Sequence, residues 1–215
     1  MFTGLLRLLS GLLVALCCSV AFAQDQGAYL GVSVGQSKVK DPGSCSDLAG
    51  LFSPGYSCSL NDTDVGWKIF GGYQVNRYVG AEVSYVDLGT FKLSASGLVT
   101  GVPVSASEKI HGYGFGADLV LSAPISDTFS LSARGGVLSW TLKDTLSASS
   151  SAASLSQEES ATGTSFTFGV GARYDFAQNL GFRVEFQRFK DVGDENKTGK
   201  SDVDLISASL IYRFR

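Results

Sequence analysis

Nine charged side chains sit inside apolar, strand-like segments, and their spacing is the first chemical signal. They are Lys68, Glu82, Asp118, Arg134, Arg173, Asp175, Arg183, Glu185 and Arg213. Arg173 and Asp175 are two residues apart, as are Arg183 and Glu185, so each pair falls on one face of an extended strand. Five are basic and four acidic, a near balance that lets each charge find a partner. Burying an unpaired charge is expensive, so the chemistry these residues suggest is an internal ion-pair network. The stretch FGGYQVNRYVGAEVSY (70–85) poses the case sharply, because Glu82 is the lone carboxylate between Val79 and Tyr85.

Other reactive groups are few. His111 is the only histidine and the only ordinary general base, and serines abound in the connecting segments. A nucleophile needs a base held in reach and an oriented third group. His111-Gly112-Tyr113 offers one candidate base beside the loop serines, so a lipid-modifying Ser–His site is kept as the least favoured reading against a plain rim histidine; no catalytic residue is assigned and the chain is not expected to be an enzyme. His111 is also remote in sequence from Cys45 and Cys58, and no metal or cofactor is expected. Those two cysteines lie in a Gly-, Ser- and Pro-rich stretch, and in an exported chain they are expected to form one disulfide.

The elements that must position the charges alternate with period two from Gly27 onward. Eight strands are read at roughly 27–37, 64–75, 78–88, 111–122, 128–141, 164–175, 180–190 and 203–214. Each approaches the ~9–11 residues a tilted strand needs to cross a bilayer. Connections alternate in length. Short ones fall at Asn76-Arg77, Ala123–Asp127 and Phe176–Asn179. Long ones fall at about 38–63, 89–110, 142–163 and 191–202, and the third carries a serine-rich tract read as a solvated loop. Short turns at one end and long loops at the other characterise outer-membrane barrels. One face of each strand is apolar: Val79, Ala81, Val83 and Tyr85; Phe166, Phe168, Val170, Ala172 and Tyr174; Ile206, Ala208, Leu210, Tyr212 and Phe214. The opposite face holds Gly, Ser, Thr and the nine charges. Lys or Arg facing lipid at the midplane costs ~2–4 kcal/mol, and this segregation avoids it. Two aromatic girdles are expected. Trp67, Tyr85, Tyr113, Trp140 and Phe166 mark the long-loop end; Tyr29, Tyr73, Phe129, Tyr174, Phe182, Tyr212 and Phe214 mark the short-turn end.

The 215 residues are 44% hydrophobic and only 17% charged, which excludes a disordered chain. The first 23 residues read as a signal peptide: Arg7, an apolar run over 8–20, and Ala21-Phe22-Ala23 before the cleavage site. Its removal takes Arg7 from the 17 basic residues, leaving 16 against 20 acidic, a net charge of −4. No basic patch points to nucleic acid.

These segments resemble a known family. Residues 70–85 followed by Val86-Asp87-Leu88-Gly89 are similar to the second hairpin of the OmpA-like transmembrane domain. So are 171–176 with 181–187, and Leu210, Tyr212 and Phe214 resemble the C-terminal assembly signal of outer-membrane proteins. The resemblance implies an all-β, eight-stranded, antiparallel up-and-down transmembrane barrel over 24–215, in the bacterial outer membrane. Its implied partners are membrane lipid and lipopolysaccharide, the barrel-assembly machinery during insertion, and a surface ligand held by the loops of a monomer. It implies an interior charge network in which Glu82 and Arg183 occupy the family's acidic and basic positions. Asp118 stands where the family often has lysine and Arg173 where it often has an acid, departures of opposite sign that could compensate. A structural and surface-interaction role is the leading expectation; a small gated channel for ions or small solutes is the alternative.

Overall fold

The computed structural model describes residues 26–40, 57–99, 102–150, 154–194 and 199–214. Nine antiparallel strands form it: β1 (Gly27–Val39), β2 (Ser57–Asn61), β3 (Thr63–Gln74), β4 (Val79–Val99), β5 (Val102–Pro124), β6 (Phe129–Ser150), β7 (Ser154–Asp175), β8 (Leu180–Val192) and β9 (Ser201–Arg213). Eight of them, β1 and β3 to β9, close a ring, because β4 pairs with β5 and β1 pairs with both β3 and β9. The closing seam runs from Tyr29 opposite Arg213 to Val39 opposite Val203. Closure leaves no free edge in the wall, a requirement for any sheet placed in lipid. Residues 1–25 and Cys45 lie outside the described residues, so the signal-peptide and disulfide expectations are untouched; Cys58 lies on β2.

Three tight turns join the strands at one end. Asn76 Oδ1 accepts hydrogen bonds from the backbone N–H groups of Tyr78 and Val79, at 2.8 and 2.9 Å. Ser126 Oγ accepts from Phe129 N in the second turn, and Ala177 and Leu180 bond each other across the third. In the first two turns a short polar side chain stands in for a backbone partner, as turns favour, while the third is closed by backbone alone.

At the other end the structure departs from the sequence reading. Segments 89–110 and 142–163, expected as long loops, are mostly strand: β4, β5, β6 and β7 run for 21, 23, 22 and 22 residues. Their outer halves join β2 in a five-stranded crown that rises from one side of the ring. The register explains why a serine-rich tract is not a loop. Ser57, Ser96, Ser105, Ser149 and Ser154 lie opposite one another in one row, and Ser59, Ser94, Ser107, Ser147 and Ser156 form a second. Between them Cys58, Ala95, Ala106, Ala148 and Leu155 point to the other face. The low-complexity tract therefore hides a period-two Ser-x-Ser pattern, in which Ser105 and Ser149 hydroxyls meet at 2.8 Å. The crown begins at a register shift between Asp87 and Gly89, where Gly89 takes φ of +82°, a conformation that disfavours any side chain.

Hydrogen exchange checks the crown. Amides of 105–109 and 143–148, flanked by strands on both sides, should exchange more slowly than those of 154–160, whose outer edge is unpaired among the described residues. Equal, fast exchange over all three segments would restore the loop reading.

Candidate functional site

The barrel interior is the candidate site, and alternation builds it. On β4 the inward residues are Gly80, Glu82, Ser84, Val86 and Leu88; on β8 they are Gly181, Arg183, Glu185, Gln187 and Phe189. The outward residues, among them Val83, Phe115, Leu119, Phe166, Val170 and Leu210, are large, apolar and exposed. Phe115 and Phe166 expose 68% and 75% of their surface, an arrangement that water would not support on so many neighbouring positions.

Six of the nine charges meet in one buried network. Glu82 accepts from Arg134 Nη1 at 2.8 Å and from Arg183 Nη1 at 2.9 Å. Glu185 takes Lys68 Nζ at 2.6 Å and lies 2.7 Å from Arg134 Nη2 and 3.3 Å from Arg183 Nε. Arg134 also reaches Asp118 at 3.4 Å. Three cations thus face three carboxylates, and every one of the six is buried. The other three form a separate group nearer the short turns, where Asp175 contacts Arg173 at 2.8 Å and Arg213 at 3.4 Å. Asp118 and Arg173 therefore belong to different groups, so their opposite departures from the family pattern do not compensate by direct contact.

Several partners escaped the sequence reading. Gln187 accepts from Lys68 at 3.0 Å, and Thr167 donates a short hydrogen bond of 2.5 Å to Asp118. Tyr29, assigned to the short-turn girdle, instead points inward and donates to Glu82 Oε2 at 3.2 Å. Gly72, opposite it in β3, makes this possible, since a Cβ there would overlap the Tyr29 ring. Phe70 is also inside, its ring 4.4 Å below the Arg183 guanidinium, in a cation–π contact. Trp140, assigned to the long-loop girdle, is likewise interior and donates from Nε1 to Ser165 Oγ at 2.8 Å.

Trp140 belongs to a feature that a single polar inward face does not predict. Above the charges, Val86, Leu88, Leu138, Leu142, Phe189, Val203 and Leu205 pack into a buried apolar plug. Each shares the parity of the polar face on its own strand, so the inward face turns from polar to apolar along its length. The signal was present: Val86 and Leu88 follow Glu82 and Ser84 at two-residue steps.

His111 lies on the outer face, not in the interior. Its Nε2 is 3.4 Å from Asp87 Oδ2 and its Nδ1 3.1 Å from Thr90 Oγ1. The two backbone amides nearest this acid–base–hydroxyl chain, Gly89 N and Thr90 N, are already bonded to Asp87 and Asp64 and are not available to an oxyanion. Among the described residues no group of His, Cys, Asp and Glu could hold a metal ion. In the crown, Glu108 and Asp144 face each other across the inner surface with Glu159 beside them; burial first, then their mutual proximity, pushes the Glu108 carboxyl up, and burial and Glu159 push Asp144 up.

A closed barrel with an apolar exterior and a paired, charged interior is a transmembrane β-barrel. The model of the OmpA-like transmembrane domain matches residues 23–215, and the chain belongs to that family, whose place is the bacterial outer membrane. Outer membrane protein A of Shigella flexneri is 30% identical over 195 residues, which cover 90% of this chain and 50% of that protein. The chain thus spans about half the length of the curated relatives it matches. Among solved structures, Ail of Yersinia pestis, in complex with the heparin analogue sucrose octasulfate, is 17% identical with a TM-score of 0.49, covering 88% of this chain and 100% of that one. Neisserial surface protein A is 14% identical with a TM-score of 0.47, covering 87% and 97%.

Two predictions follow from this geometry. Glu82→Ala leaves three buried cations facing the two carboxylates of Glu185 and Asp118 and should cost about 3–5 kcal/mol; the urea midpoint of the folded, heat-modifiable form reads it, and a midpoint within error of the parent would refute the central role of Glu82. The raised Glu108 and Asp144 carboxyls bind protons more tightly in the folded crown than in the unfolded chain. That contribution is complete below the ordinary carboxylate range and is lost as pH rises through the folded values. Exchange protection of 105–110 and 143–148 should therefore fall with rising pH after correction for intrinsic rates, and Asp144→Asn should flatten the trend.

Proposed function

We propose that this protein is a structural barrel of the outer membrane whose crown serves surface interaction, and that it is not a conduit. One observation carries the reading. The interior is occupied by the ion-pair network and sealed above by the apolar plug, while the wall on one side continues outward as a paired sheet. Eight strands enclose only enough room for side chains. Opening a pore would require both the network and the plug to rearrange together.

The same reading places the crown outside the cell and the three tight turns in the periplasm. It takes residues 1–23 as a cleaved signal, and a Cys45–Cys58 disulfide as the tie between β1 and β2. Leu210, Tyr212 and Phe214, all on the outer face or just beyond β9, would be read by the assembly machinery. The barrel would work as a monomer amid lipid and lipopolysaccharide. Catalysis has no part in this reading, which takes the His111 contacts with Asp87 and Thr90 as structural.

Fractionation and conductance test the proposal together. The protein should copurify with the outer membrane, shift its gel mobility on heating, and give no discrete conductance steps in planar bilayers. Steps abolished by Glu82→Ala or Arg183→Ala would replace this reading with the gated channel, and recovery in the periplasmic extract would end it.

A further inference from the structure

Like charges placed directly opposite on neighbouring strands repel, and the outer face of the barrel contains such a pair. Lys92 of β4 lies opposite Lys109 of β5. One step nearer the barrel, His111 lies opposite Lys143 of β6, which is diagonal to Lys109 across the Lys109–Thr145 pair. The three lysines are all exposed. Among the described residues none has a carboxylate within ion-pair distance. The lysines elsewhere on this rim do: Lys38 with Asp62 at 3.5 Å, Lys40 with Asp204 at 3.7 Å and Lys190 with Asp202 at 2.8 Å. Two of the nearby acids are already engaged. Asp64 accepts from the backbone of Val65 and Thr90, and Asp87 accepts from Gly89 N and lies 3.4 Å from His111 Nε2; Glu158, opposite Thr145 and diagonal to Lys143, stands at the edge of the patch but makes no ion pair with it.

Position says what the missing counter-charge is. Directly below the patch an aromatic ladder ends the apolar band: Trp67 and Tyr85 rings are 5.5 Å apart, Tyr85 and Phe115 5.2 Å, Tyr85 and Tyr113 6.3 Å. Such rings mark the headgroup level. Lys143 Nζ stands 5.8 Å from the Tyr113 ring and the His111 ring lies tilted beside it at 5.7 Å, so the cations begin where the aromatics stop. Adjacent cations here are separated by the sheet's own spacings, roughly 5 Å across a pair and 7–8 Å along the diagonal, distances that suit phosphate oxygens shared between two ammonium groups.

We propose that Lys92, Lys109 and Lys143 form a docking surface for the phosphates of an anionic outer-leaflet lipid, the bis-phosphorylated glucosamine headgroup of lipopolysaccharide, with its acyl chains lying down the apolar face past Tyr113 and Phe115. The inference rests on the outer-membrane reading above and assigns one side of the barrel to that lipid. Hydroxyls of Thr90 and Thr145 lie in the same two rows as the cations and offer further donors.

The test uses the full chain, folded in detergent, and compares it with K92Q/K109Q/K143Q and with K38Q/K40Q/K190Q, which removes the same charge from the paired lysines. Retained lipid is read by native mass spectrometry against bis-phosphorylated lipid A, its dephosphorylated form and phosphatidylethanolamine. Loss of the three patch lysines should weaken lipid A binding on the order of a hundredfold. The control variant should stay close to the parent, and phosphatidylethanolamine should not distinguish the three proteins. Equal binding by the patch variant and the parent, or an equal loss in the control, overturns the proposal. Displacement of lipid A by millimolar inorganic phosphate overturns it too, in favour of a free-phosphate site. Heat-modifiable mobility shows that each variant is folded. Failure of lipid A selectivity in a folded barrel that still fractionates with the outer membrane sinks this inference alone; failure to fractionate there sinks the reading beneath it.

Discussion

The structure depends on one constraint: a closed barrel of eight strands has an interior too narrow for bulk water, so every charge inside it must be neutralised by another side chain. Glu82 and Glu185 meet that constraint by bridging. Each accepts more than one cation, and Arg134 and Arg183 touch both of them. The result is a lattice across β3, β4, β6 and β8, not a set of isolated pairs. Removing either glutamate leaves three buried cations facing two carboxylates. Such networks are weak evidence for stability in absolute terms, since an apolar core of equal volume could do as well. They are strong evidence for register. Sliding any of these strands by one residue would turn its charges to lipid and its apolar residues inward.

The interior is not uniform along its axis, and the gradient bears on function. Near the tight turns it is charged and partly exposed, with Arg173, Asp175 and Arg213. In the middle it is charged and dry. Toward the crown it becomes a core of Leu, Val, Phe and Trp. A conduit would need polar lining throughout. An apolar plug of this kind is what a small soluble domain uses to hold strands together, and here it anchors the base of strands that continue well beyond the bilayer. The plug and the crown are therefore one device: extending β4 to β7 outward needs inward packing at the level where lipid no longer covers the wall.

How much of this could be read from the sequence follows from where one local pattern has one physical meaning. Alternation in 78–88 and 180–190 has only one satisfactory solution, because Glu82, Arg183 and Glu185 cannot face lipid, so strand number, closure and the Glu82–Arg183 contact were legible. Tyr29, Phe70 and Trp140 were not, because an aromatic residue on a membrane strand is acceptable on either face. Their orientation is decided by partners far away in sequence, Gly72 for Tyr29 and Ser165 for Trp140. The crown was missed for a different reason. Serine and alanine carry little hydrophobic contrast, so Ser-x-Ser repeats over 94–96, 105–107, 147–149 and 154–156 read as low complexity until pairing sets them side by side.

The chain treats its cations in two opposed ways, and the contrast locates its surroundings. In the dry interior no ammonium or guanidinium of the central network stands without a carboxylate, because the low dielectric makes the alternative too costly. On the outer face just above the aromatic ladder, three lysines are set close together with no ion-paired carboxylate among the described residues, in a chain whose acidic residues outnumber its basic ones. Ample acid was available and was placed elsewhere on the rim, against Lys38, Lys40 and Lys190. Repulsion between neighbouring lysines in open water is modest and tolerable. It becomes favourable only where the surroundings supply negative charge, and the surface of an anionic lipid leaflet, at the level the aromatic rings define, is such a place.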